Sequence, residues 1–171
     1  MSWFRRKTAL TPVQAEDCQR AFDRLNGIVA EALELWPGVH DATATLYSVA
    51  KRSLTNDENA YPLSQELLQM AREGRAHLVS YQARLKTLRA DFAAVTLPEW
   101  TPPKFKEEHA ETTEMFFDGQ IGFLDGSIQA LSEPNPLVYD GSGPHKPNML
   151  YSGLNLVAQM RQTVRPFRLK D

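Results

Sequence analysis

The sequence predicts an all-α protein, a four- or five-helix bundle with a long antiparallel helix pair as its spine, and three observations carry that expectation. Apolar residues recur at steps of three and four over long stretches. One of these stretches keeps its period for four heptads, long enough to pack along its whole length. The prolines fall between the periodic stretches, where a missing N–H does no harm, rather than inside them.

The first helix has a clear beginning. Thr11 suits the N-cap, Pro12 the first helical position, and Glu16 and Asp17 lie near the positive end of the helix dipole. Cys18, Phe22, Leu25, Val29, Ala32 and Trp36 then form one stripe, and Pro37-Gly38 is the expected stop. A shorter helix is expected from about 41 to 54, with Leu46, Val49 and Ala50 inward, followed by a polar loop at 55–59.

From Ser64 to Val95 the residues Leu67, Ala71, Gly74, Leu78, Tyr81, Leu85, Leu88, Phe92 and Val95 alternate in steps of four and three, the a/d seam of a coiled coil. Pro98, Pro102 and Pro103 make the turn. The stretch 105–131 opens with acidic residues and carries the stripe Ala110, Thr113, Phe117, Ile121, Leu124, Ile128 and Leu131, which favours a helix. Asp118-Gly119 and Asp125-Gly126 are also hairpin-turn dipeptides, so a three-stranded meander over 113–131, and with it an α+β protein, is the alternative. Residues 132–148 read as a surface loop. A last helix from about 148 to 164 presents Leu150, Leu154, Val157 and Met160 and ends before Pro166. The expected organisation is a flexible basic N-terminus (1–10), one helical domain (11–164) and a basic tail (165–171).

Composition narrows the function classes. The chain has 171 residues, 42% hydrophobic and 23% charged, ordinary for a globular domain. A net charge of −2 argues against a surface built for nucleic acid, and no specific nucleic-acid binding is expected. A single cysteine, Cys18, admits no internal disulfide; its place in an apolar stripe predicts a buried thiol, and a cytoplasmic setting follows. The first residues lack a signal-peptide pattern, and no apolar run approaches the roughly 20 residues of a membrane span.

No catalytic constellation emerges. His40, His77, His109 and His145 show no paired metal-ligand spacing, and the Gly141–Lys146 stretch lacks the second glycine and hydroxyl of a phosphate loop. No catalytic residue, metal or cofactor is therefore expected. The charge distribution says more. On the heptad helix Arg72, Arg75, Gln82, Lys86 and Arg89 share about a third of a turn. On the later helix Glu107, Glu111, Glu114, Asp118 and Asp125 share a sector of about 60°. These stripes either pair with each other across an antiparallel bundle or dock an oppositely charged partner.

The leading expectation is a non-enzymatic helical interaction or scaffold protein acting through the heptad seam and the segregated charged helix faces, with a protein partner or self-association. The alternative is a helical small-ligand-binding protein or enzyme with a pocket lined by Phe116, Gly119, Gly122, Phe123 and Gly126, set against close helix packing at the glycines. Trp3, Phe4, Arg5, Arg6 and Lys7 have the composition of a weak peripheral membrane contact.

Overall fold

The computed structural model describes residues 9–42, 65–130, 158–159, 161–162 and 164–169. Among them the protein is all-α. Three helical rods pack side by side: α1 (Pro12–Glu34) with a helical continuation over 36–42, α2 (Gln65–Ala93), and a third rod made of α3 (Pro103–Glu111), a π-helical stretch (Thr112–Asp118) and α4 (Gly119–Ala130). The predicted segments 43–54 and 148–157, the loop 132–148 and the N-terminal residues 3–7 lie outside the described residues.

α1 begins with a reciprocal cap. Thr11 Oγ1 accepts from the Gln14 N–H at 3.3 Å, and the Gln14 side chain accepts from the Thr11 N–H at 2.9 Å, with Pro12 at the first helical position. Two backbone donors with no partner in the helix are thereby satisfied. Cys18, Phe22, Leu25, Val29 and Ala32 are buried along one face.

The expected stop at Pro37-Gly38 is instead a bend. The helix breaks for one residue at Leu35 and resumes through 36–42, burying Trp36 and Val39 on the same face. Pro37 has no N–H to give the carbonyl of Leu33, four residues back. The Arg161 guanidinium supplies that donor, with Nη2 3.1 Å from Leu33 O, and lies over the Trp36 ring at 5.2 Å. Desolvation of the guanidinium by burial lowers the Arg161 pKa. Gly38 sits close against α2: a Cβ there would overlap the ring end of Tyr81, which would have to shift.

α2 runs antiparallel to α1. Arg84 pairs with Glu31, and the Trp100 indole beyond the end of α2 donates to Gln14 O at 3.2 Å, near the start of α1. Its heptad seam is buried at Leu78, Leu85, Leu88, Phe92 and, just past the helix, Val95; Tyr81 and Gly74 are half-buried. The side chains of Leu67 and Ala71 are outside the described set. In the turn, Thr101 is buried with its Oγ1 3.5 Å from the Sγ of Cys18, which is fully enclosed as expected.

The third rod decides between helix and meander. Residues 113–130 are helical, so the α+β alternative falls. The adjacent aromatics Phe116 and Phe117 explain the local widening. Neighbours in an α-helix diverge by about 100°, yet both rings are in the core, in an edge-to-face contact with centroids 5.0 Å apart. A π turn, which takes an extra residue per hydrogen-bonded loop, brings both inward. Thr113 Oγ1 donates to His109 O at 2.9 Å where this widening begins. Buried Gln120 and Ser127 are satisfied within their own helix, by Phe116 O at 2.8 Å and Phe123 O at 2.9 Å.

The aromatic centre of the core joins all three rods. Phe22 lies 4.7 Å from Phe105 and 5.8 Å from Phe167; Phe92 lies 5.1 Å from Phe117 and 6.1 Å from Phe167. Residues 164–169 are no free tail, because Phe167 is 2% exposed and its backbone is held twice by Asn26. Asn26 Nδ2 donates to Phe167 O at 3.0 Å, and Asn26 Oδ1 accepts from Phe167 N–H at 2.8 Å.

Candidate interaction surfaces

Because the third rod runs back along α2, the basic stripe of one faces part of the acidic stripe of the other. Arg89 grips Asp118 with two parallel bonds, Nε to Oδ1 at 2.9 Å and Nη2 to Oδ2 at 3.1 Å. The hydrogen bond to Asp118, followed by the carboxylate's charge, raises the Arg89 pKa. Two turns away, Asp125 accepts from Gln82 Nε2 at 2.5 Å and has Lys86 Nζ at 3.7 Å. All four charged groups are substantially exposed, so each pair contributes only about 0–1 kcal/mol. Their value is in fixing the register of the two rods.

These contacts join Gln82, Lys86 and Arg89 of one stripe to Asp118 and Asp125 of the other. His109 meets the end of α2, its Nε2 3.0 Å from Phe92 O and its ring stacked on Phe92 at 4.8 Å and 11°. The acidic half of the third rod therefore lies beside the last turn of α2. After Arg89 that turn has Ala90, Asp91, Ala93 and Ala94 and no cation. Glu107, Glu111 and Glu114 are exposed, and among the described residues none has a cationic partner. Met115, 62% exposed, lies beside Glu111 and Glu114. At the opposite end, Arg72 and Arg75 are exposed near the start of α2, beyond the reach of these glutamates.

The π turn contributes to this division. By straight α-helical counting Glu107, Glu111, Glu114, Asp118 and Asp125 share one sector. The wider turn between 112 and 118 advances the helix less per residue, so Asp118 and Asp125 swing toward α2 while Glu107 and Glu111 stay outward.

The aromatic–glycine residues do not converge. Phe116 is buried in the core, whereas Gly122 and Gly126 are exposed, with nothing within 4 Å of where a Cβ would stand. Close packing on those two glycines is therefore not what the described residues show. Gly119 is half-exposed. Phe123 lines a small void with Trp36, Tyr81, Leu85 and Gln120, of about 10 Å³, room for one water at most.

Three features escaped sequence reading. One is Met115, hidden between acids and aromatics. Another is the pair of side chains, Asn26 and Arg161, that hold the C-terminal segment; nothing in sequence spacing links residues more than a hundred positions apart. The third is an open cleft of about 410 Å³ between 36–42 and the first half of α2, with Asp41, Glu73 and His77 at its rim. The i, i+4 spacing of Glu73 and His77 was its only sequence trace.

Among the described residues no group of three or more histidine, cysteine, aspartate or glutamate side chains is placed to hold a metal ion, and no helix is long and apolar enough to cross a membrane. The arrangement defines a helical bundle with a polarised surface. Compared with protein-family models, curated proteins and solved structures, the chain matches none.

Proposed function

We propose that this chain is a non-enzymatic helical interaction protein whose docking surface is the acidic half of the third rod, Glu107, Glu111 and Glu114 around exposed Met115. One observation carries the reading: the chain consumes Arg89, Lys86, Asp118 and Asp125 in pairs of its own and leaves these three carboxylates exposed, with no cationic partner among the described residues. The seam residues Leu78, Leu85, Leu88, Phe92 and Val95 are buried inside the chain, which favours the charged flanks over the seam as the docking surface. A fitting partner is a second copy or another protein that presents lysine or arginine around an apolar spot. Complementary charge raises the association rate, and methionine adapts its shape to what it meets. A reducing, cytoplasmic setting suits the lone buried thiol.

The test compares the wild-type chain with a Glu107→Gln, Glu111→Gln, Glu114→Gln variant in two measurements. Sedimentation equilibrium at low and high salt reads self-association. A mass above monomer that falls with salt and is lost in the variant identifies a second copy. If both chains are monomeric, cross-linking in cell extract takes over, and adducts formed by the wild type but lost in the variant identify a different partner. Identical masses and identical adducts would sink the proposal.

A further inference from the structure

No further inference is drawn: the strongest candidate, the open cleft between residues 36–42 and the first half of α2 with Asp41, Glu73 and His77 on its rim, borders residues 43–64, which lie outside the described residues, and nothing in the structure shows what covers it.

Discussion

Replacing Asn26 with aspartate exchanges one NH₂ group for an oxygen and tests whether the C-terminal segment is held in place by its backbone. The wild-type amide both donates to Phe167 O at 3.0 Å and accepts from Phe167 N–H at 2.8 Å. A carboxylate keeps the second bond, loses the first, and sets a negative oxygen against the Phe167 carbonyl. A part-buried acceptor left without its donor costs about 1–3 kcal/mol, and more where a charge is involved. For Asn26→Asp at pH 7 the expected loss is therefore about 2–3 kcal/mol, or roughly 4–12 °C in Tm for a chain of this size. Urea unfolding followed by far-UV circular dichroism reads it.

The pH dependence makes the prediction specific. The protonated carboxyl regains an O–H donor for Phe167 O, so the folded state favours the proton and raises the pKa of the introduced group above its unfolded value. A group shifted in that direction contributes its stability at low pH and loses it as pH rises through the folded-state pKa. The deficit against wild type should shrink as the pH is lowered toward the carboxylate range. Asn26→Ala, which loses both bonds and cannot titrate, should show a deficit with no such recovery. A variant as stable as wild type at pH 7, or a deficit independent of pH, would refute the clamp.

Four further outcomes follow from the packing. Arg161→Met keeps the apolar stem but removes the donor to Leu33 O, and should cost about 1.5–3 kcal/mol, the range for a charged hydrogen bond. In a Pro37→Ala background the backbone N–H returns, so the same substitution should cost less; additive effects in the double-mutant cycle would show that the two are not linked. Gly38→Ala should destabilise by about 1–3 kcal/mol through overpacking against Tyr81, and Tyr81→Leu should relieve most of it, as thermal melts of the three chains would show. Gly122→Ala and Gly126→Ala have open space around the new methyl and should each stabilise by about 0.5–1 kcal/mol; destabilisation instead would mean that this face is covered by chain outside the described residues or by a second copy. Arg89→Ala should change stability by less than about 1 kcal/mol, because the pair it breaks is exposed; a larger drop in urea unfolding would show that the two rods depend on it.

The parts of the fold legible in sequence were those governed by local periodicity. The Thr11 cap, the stripe from Cys18 to Trp36, the seam from Leu78 to Val95 and the proline-rich turn all express interactions within one or two helical turns. The reading failed where a distant residue supplied what the local chain lacked. Pro37 looked like a terminus because a proline removes a donor, and only Arg161, far along the chain, makes that loss tolerable. Phe167 looked like part of a charged tail because Arg165, Arg168 and Lys170 surround it, while its partners Phe22, Phe92 and Asn26 belong to other elements. Of the surface, the pairing of Arg89 with Asp118 was foreseeable from antiparallel packing. The separation of Glu107 and Glu111 from Asp118 was not, since it depends on a helix that departs from regular geometry.

That departure has a consequence for how the surface can change. A π turn amounts to one extra residue spliced into an otherwise regular helix, so the two ends of the third rod are out of phase by about one residue's rotation. Rewinding Thr112–Asp118 as regular α-helix with every residue retained would return the rod to an even winding and turn everything after it by about 100° relative to everything before it. Asp118 and Asp125 would then leave Arg89 and Lys86 and line up with Glu107 and Glu111, and one of the two phenylalanines would have to leave the core. The segregation of in-chain pairs from outward glutamates thus hangs on how seven residues are wound rather than on the identity of any charged one.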